Sequence, residues 1–161
     1  CIGVPATGRS REIRTVPGVF SNIVPLRVQL TTTDTVSELI KKTAVKVRQG
    51  YRHTRYPLSR IVSDRRRVGL SQPFNVIVNY ETFTYDLDFL HAKGRIHSLN
   101  PGPASDLTLM ISDWQGEGSV EIRLDYNSDL YAKQEVKNHL SRFIHFLNRL
   151  PEKLKNLKDV I

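Results

Sequence analysis

Two rhythms of apolar and polar positions divide this chain. Asp106–Ser112 and Val120–Tyr126 alternate with period two, the spacing of half-buried strands. Gln115-Gly116-Glu117-Gly118 lies between them, so an antiparallel hairpin is expected, with a wet face on its second strand. Residues 1–8 read as a further strand ending in a turn at Gly8. Phe74–Tyr80 reads as a strand covered on both faces, with Phe74, Val76, Val78 and Tyr80 on one side and Ile77 on the other. Helical spacing holds elsewhere: Val36, Leu39, Ile40, Ala44 and Val47 form one stripe, with Lys41, Lys42, Lys46 and Arg48 away from it. Thr35 and Glu38 have the spacing of a capping box ahead of that stripe, and Gly50 ends the helix or weakens its last turn. Pro57 suits the first position of a second helix, whose inward face is Leu58, Ile61 and Val62 and which Gly69 stops. Val136, Leu140, Phe143, Ile144 and Leu147 line a last helix from about Ala132 to Leu150, ended by Pro151. Glu81–Pro103 is the least regular part. Strands and helices mix without strict alternation, so the class is α/β or α+β, a mixed β-sheet with helices packed on it.

One stretch breaks the pattern. Val19, Phe20, Ile23, Val24, Leu26 and Val28 have the content of a core strand running to about Leu30, opened by the turn Pro17-Gly18. Ser21 and Asn22 interrupt it. A side-chain amide buried without partners costs about 1–3 kcal/mol, so Asn22 is expected to bond the backbone or something that enters from outside.

Length and charge narrow the picture. The 161 residues with 39% apolar content fit one domain, taken as residues 1–161, with the Lys-rich 151–161 as the start of a connector. The apolar opening at Cys1 reads as a piece of a longer chain. A single Cys excludes an internal disulfide framework and fits a reducing, cytoplasmic setting. No apolar run is long enough to span a bilayer, and no signal peptide is visible. The formal charge is +8, yet Lys41–Arg67 alone holds ten Lys/Arg against one acid, Asp64, and the remainder sums to −1. Such a face suits an acidic partner, a phosphate group or nucleic acid, and also suits a solvated helix surface.

Several chemistries have no carrier here. His139 and His145 fall on different faces of a helix, and His91 and His97 lie in the irregular segment, so no metal spacing exists. There is no Gly-rich phosphate loop and no Gly-x-Ser-x-Gly elbow. His53, between basic residues just before Pro57, is the one histidine with a candidate role, as a hydrogen bonder at a helix terminus.

Gly18, Phe20, Asn22, Leu26 and Arg27 match in order the Gly-x-Phe-Val-Asn-(x)n-Leu-x-Arg motif of the condensation domains of nonribosomal peptide synthetases, with Ser21 in place of Val. Gly3, Gly8-Arg9, His53 with Pro57, Pro73-Phe74, Asp106-Leu107 and Tyr126-Asn127-Ser128-Asp129-Leu130 are similar to further elements of that family. Tyr85–Phe89 with Gly102-Pro103 resembles the catechol-siderophore type. The resemblance implies one lobe of a chloramphenicol-acetyltransferase-like fold. It also implies amide formation between a carrier-bound acyl thioester and a carrier-bound aminoacyl acceptor. The family's catalytic His-His-x-x-x-Asp-Gly lies in its N-terminal lobe, and this sequence has no His-His pair. The chain is therefore expected to be the C-terminal lobe, one wall of the tunnel, without a catalytic residue of its own.

On that reading Asn22, Ser21, Phe20 and Gly18 line the tunnel, while Arg27, His53, Pro57 and Asp106 are motif residues of mainly structural role. Arg65, Arg66 and Arg67 meet acidic carrier domains. Glu81–Pro103 is the candidate crossover to the other lobe. No cofactor belongs to the chain itself; the phosphopantetheine arms of carrier domains bring the substrates, and an adenylation domain follows downstream. Two rival readings remain: a non-catalytic carrier-docking module, and a nucleic-acid-binding domain. Against the second, the basic window has only Tyr51 and Tyr56 as stacking candidates.

Overall fold

Thr35 starts the first helix as its side chain dictates. Its Oγ1 accepts from the Glu38 N–H at 3.3 Å, and the Glu38 carboxylate accepts from the Thr35 N–H at 2.8 Å. This is the reciprocal capping box that spares two orphan donors. Just ahead, the Asp34 carboxylate accepts from the Thr31 N–H at 3.0 Å and pairs with the Lys42 ammonium at 2.5 Å. Helix α1 then runs Val36–Tyr51 and α2 runs Leu58–Arg67. Val68 closes α2, Gly69 takes φ +72°, and the N–H groups of Gly69 and Leu70 bond back to Arg66 and Arg65. That is a Schellman stop, which a residue with a Cβ enters only at a cost.

The computed structural model describes residues 1–9, 11–13, 15–82, 88–90, 92–94, 105–113 and 120–154. Its strands are β1 (Ile2–Thr7), β2 (Ser21–Leu26), β3 (Val76–Glu81), β4 (Asp88–Phe89), β5 (Ala92–Lys93), β6 (Leu107–Ser112) and β7 (Glu121–Tyr126), and a third helix, α3, spans Lys133–Leu154. Five strands form a mixed sheet in the order β2-β1-β3-β6-β7, while β4 and β5 pair as a separate short hairpin. β3 lies parallel to both β1 and β6, and each flanking pair, β1–β2 and β6–β7, is antiparallel. The expected α/β, mixed-sheet class is what the chain adopts.

Register separates the two faces of the sheet, because directly opposed residues share a face. Ile2 and Val4 oppose Leu26 and Val24; Val76 and Val78 oppose Leu107 and Leu109, which oppose Tyr126 and Leu124. This apolar face receives the helices. A side chain at Gly50 of α1 would stand 3.0 Å from Val24 Cγ1 and 3.8 Å from Leu26 Cδ1, so the glycine lets α1 approach. Val24 and Leu26 are buried, as is Val136 of α3. The opposite face carries Asn79, Glu81, Thr108, Ser112, Glu121, Arg123 and Asp125, with Ile77 as its buried apolar member.

The structure corrects several expectations. The Val19–Leu30 strand is shorter, Ser21–Leu26, and sits at a sheet edge; Val19 is 92% exposed. Pro25 fits that position, since an edge strand tolerates a missing N–H. Pro57 is the residue before α2 rather than its first residue. β3 begins at Val76, and the Phe74 ring lies on the face opposite to Val76, occupying the space above Gly3 where a Cβ would come within 2.6 Å of it. Tyr80 is 63% exposed, so β3 is not covered along its whole apolar side. Ile40 and Ala44 of the α1 stripe are exposed. Helix α3 continues through Pro151 to Leu154, so a proline without an N–H is carried within its last turns rather than ending it. The hairpin residues Gln115-Gly116-Glu117-Gly118, the run 83–87, His91, His97, Pro101-Gly102-Pro103 and 155–161 lie outside the described residues.

The α1 entry carries a pH signature. The Lys42 ammonium and the Thr31 N–H lower the Asp34 pKa from 3.8 to about 2, and the Thr35 backbone N–H lowers that of Glu38. A carboxylate depressed in the folded state stabilises it above the unfolded pKa and loses that contribution as pH falls through the folded one. The thermal midpoint is therefore expected to drop between about pH 4 and about pH 2. Asp34→Asn should flatten that descent, measured by circular dichroism melts across the window.

Candidate functional site

Arg9 organises the approach to β2. Its guanidinium donates to the carbonyls of Ile13 at 3.2 Å, Val16 at 2.6 Å and Gly18 at 2.7 Å, and its centre stands 4.5 Å from the centroid of the Phe20 ring. A planar, permanently charged group suits this work, because it donates in several directions while stacking on an aromatic face. Gly8 donates to the Phe20 carbonyl at 2.6 Å, and a Cβ on Gly8 would stand 2.9 Å from that oxygen. Gly18 takes φ +150° beside the same ring. Arg9, Gly8, Gly18 and Phe20 thus form one clamp on residues 9–20. Sequence reasoning named Gly8-Arg9 only as a turn; an arginine that reads carbonyls leaves no mark in hydropathy or spacing.

Asn22 uses its whole amide inside the chain. Nδ2 donates to the carbonyls of Thr54 and Tyr56, each at 2.8 Å, and Oδ1 accepts from the N–H groups of Ile23 at 2.9 Å and Leu58 at 3.2 Å. The side chain therefore ties β2 to the α1–α2 connection and caps the first turn of α2, where Pro57 brings no side-chain cap. It also takes up one outward donor at the edge of the sheet. Gly8 bonds Phe20, so even-numbered residues of β2 face β1 and odd ones point outward. Of the outward donors, Ile23 is taken by Asn22 Oδ1, and Pro25 has none.

The motif around His53 is held from both sides. The His53 N–H donates to Gly50, and the Tyr56 hydroxyl donates to Asp64 at 2.6 Å, which raises the Tyr56 pKa. Ile23, Val24, Pro25, Gly50, His53, Tyr56 and Ile61 line an open apolar pocket of about 400 Å³ between β2 and this connection. Asp106 accepts from the Asn75 amide, while its carbonyl accepts from Asn127 at 3.0 Å and the Leu107 N–H bonds Asn75 at 3.2 Å. It thereby joins the starts of β3 and β6 to the end of β7. Arg27 is exposed and borders a groove with Gln29, Lys42 and Lys46.

The three arginines ending α2 differ. Arg65 Nε donates to the Ser71 carbonyl at 2.8 Å, fixing the turn after the helix. Arg67 stands 3.7 Å from Asp64, and the Arg66 side chain has no hydrogen-bond or ion-pair partner among the described residues. Arg66 and Arg67 rim a groove floored by Leu58, Ser59, Val62 and Ser63. Among the described residues no group of His, Cys, Asp or Glu could hold a metal ion, and no helix is long and apolar enough to cross a membrane.

The family model of the condensation domain matches residues 1–159. The chain belongs to this family. It is 34% identical over 140 residues to an isonitrile lipopeptide synthase of Streptomyces coeruleorubidus, covering 84% of the chain and 9% of that protein. It is 29% identical over 148 residues to a dimodular nonribosomal peptide synthase of Bacillus subtilis (strain 168), covering 91% and 6%. The starter condensation domain of rhizomide synthetase, in complex with C8-CoA, superimposes with TM-score 0.80 at 32% identity, over 94% of the chain and 35% of that structure. The first condensation domain of the CDA synthetase shares the fold, with TM-score 0.79 at 24% identity, over 92% and 34%. This condensation-family chain thus spans about a third of those structures and under a tenth of the curated relatives.

The Asn22 geometry sets a stability prediction. Asn22→Ala strands two carbonyls and two N–H groups at the junction of β2 and α2. The loss should be about 1–3 kcal/mol, read as a lower midpoint in urea. Asn22→Asp, which removes both donors and sets a carboxylate against two carbonyls, should lose at least as much.

Proposed function

We propose that this chain is the C-terminal lobe of an amide-forming condensation domain, one wall of a tunnel in which two carrier-bound substrates meet. The observation that carries the reading is the family match over residues 1–159 in a chain that covers 35% of a solved starter condensation domain and has no His-His pair. The missing lobe supplies His-His-x-x-x-Asp-Gly. In the reaction the acceptor amine attacks the donor thioester carbonyl, a C–N bond forms, the C–S bond breaks, and the donor arm leaves as its thiol. Holding both phosphopantetheine arms in line lowers the barrier by orientation. A rhizomide starter domain is seen with C8-CoA and Leu-SNAC, an acyl and an aminoacyl compound, and those are the donor and acceptor classes proposed here. The catechol-siderophore subtype, a downstream adenylation domain and a cytoplasmic setting belong to the same proposal.

Within this lobe the proposed tunnel side is the run Gly18, Phe20, Ser21 and Asn22. Asn22 acts there through the path of its strand, because its donors and acceptor are already engaged within the chain. Arg66 and Arg67, on the rim of the Leu58–Ser63 groove, are the proposed contacts to an acidic carrier, with Arg65 holding the turn beneath them.

Two outcomes test this. The fragment alone should form no amide between two loaded carriers, and adding a matching N-terminal lobe should restore turnover; fast turnover by the fragment alone would overturn the two-lobe reading. In titrations with an acidic carrier, affinity should fall steeply with salt and drop at least several-fold in Arg66→Gln/Arg67→Gln, the folded state being preserved. Salt-insensitive binding would return these arginines to a solvated surface, and tight salt-dependent binding of duplex DNA instead would favour a nucleic-acid function.

A further inference from the structure

The two edges of the five-stranded sheet are unlike. At β2, of the outward positions Ser21, Ile23 and Pro25, the Ile23 N–H is taken by Asn22 and Pro25 has none. At β7 the parity follows from Asn127, whose N–H bonds the Asp106 carbonyl at 3.0 Å. Odd residues of β7 therefore turn their backbone towards β6, and Ile122, Leu124 and Tyr126 turn theirs outward. β6 agrees, since Leu107 and Asp113 donate away from β7, to Asn75 and Glu81. The outward N–H and C=O groups of Ile122, Leu124 and Tyr126 have no partner among the described residues. No proline or bulge interrupts this edge.

The side chains select what can pair there. On the polar face β7 carries Glu121, Arg123 and Asp125; on the apolar face it carries Ile122, Leu124 and Tyr126. For a second copy of β7 laid antiparallel along the edge, bonding through the outward residues allows four registers that face three or more residues of each strand. Centring on Leu124 sets Leu124 opposite Leu124 and Ile122 opposite Tyr126. Arg123 then stands opposite the second copy's Asp125, twice by symmetry. Shifting one way sets Arg123 against Arg123 and Glu121 against Asp125. Shifting the other way sets Asp125 against Asp125. Centring on Ile122 sets Glu121 against Arg123 twice but faces only three β7 residues, 121–123, where the Leu124 register faces five, 122–126. Opposed unlike charges stabilise a strand pair and like charges destabilise it, so the Leu124 register is the self-complementary one that pairs the most of β7. Its non-hydrogen-bonded pairs, where side chains come closest, are the charged ones. Arg123 already reaches Asp125 of its own strand, Nε to Oδ1 at 3.0 Å, on this face. The guanidinium is thus held in place and keeps further N–H groups for a second carboxylate.

We propose that two copies of this chain associate through β7, antiparallel and centred on Leu124, with Arg123 of each facing Asp125 of the other. The contact is two-fold and uses the same strand of both copies. It makes a ten-stranded sheet with β2 at both outer edges, where Pro25 has no N–H and Asn22 holds that of Ile23, which disfavours further growth.

Sedimentation equilibrium at low salt, over a series of concentrations, tests the pairing with four samples: wild type, Arg123→Asp, Asp125→Arg, and an equimolar mixture of the two variants. Wild type should move towards twice the monomer mass as concentration rises. Each variant alone sets like charges together and should associate about tenfold more weakly. The mixture should recover, because the two introduced side chains, one acidic and one basic, then face each other across the pair. The native Asp125 of one variant likewise faces the native Arg123 of the other. A wild type that stays monomeric throughout, a single variant that associates as wild type does, or a mixture that stays apart overturns the proposal. Should either variant lose its folded circular dichroism signal, hydrogen exchange on the wild type decides. The amides of Ile122, Leu124 and Tyr126 should be protected more at high concentration than at low, and exchange independent of concentration overturns the pairing.

Discussion

The Asn22 carboxamide is the joint on which this arrangement depends. Three elements meet at it: an edge strand, the connection that leaves α1, and the first turn of α2. Each brings backbone groups that its own secondary structure leaves unpaired, and one amide with two donors and two lone pairs satisfies four of them. An apolar residue of similar size would fill the same volume and satisfy none. This explains a polar residue beside the buried Val24 better than propensity does, and it ties three motif elements, around Asn22, His53 and Pro57, into one structural unit.

A second unit sits across Gly8 from the first. Arg9 replaces what would otherwise be an irregular 9–20 segment with a loop tied at three carbonyls and stacked on Phe20. The turn has little apolar area to bury, and Val16 and Val19 are exposed. Its order therefore comes from charge-assisted hydrogen bonds rather than from packing. The two units flank β2, so the short strand between them is fixed at both ends by side chains that hydropathy alone would place in solvent.

Much of the architecture was legible in the sequence because it rests on period. The α1 helix, the Thr35–Glu38 capping box, the Gly69 stop and the antiparallel pairing of β6 with β7 are local signals, and each appears where its spacing sets it. The departures share a cause, which is tertiary context. Val19 and Phe20 read as strand, but Arg9 bends them into a loop. Phe74 reads as the first residue of β3, but the absent side chain of Gly3, about seventy residues away in sequence, draws its ring to the other face. Pro151 reads as a stop, yet α3 passes through it. At the candidate site the sequence singled out Asn22 and His53–Pro57, but it had no means to show that one bonds the connection carrying the other. It likewise grouped Arg65, Arg66 and Arg67 as one patch, where the Ser71 carbonyl sets Arg65 apart.

The strand order has a consequence for how the chain reaches this state. β1–β2 and β6–β7 are antiparallel pairs whose strands lie 13 and 8 residues apart in sequence, so each can form from nearby residues. β3 belongs to neither pair. It must lie parallel between them, matching Ile77 to Gly3 on one side and to Thr108 on the other. The first of those contacts closes a loop holding both α1 and α2, and the entropy of that closure comes before any of its bonds. Insertion of β3 is thus the step that turns two local hairpins into one cooperative sheet, and such non-local pairing is what slows folding. Gly3 and Phe74 meet at that same seam, which makes their fit a condition on the rate at which the sheet forms as well as on its final packing.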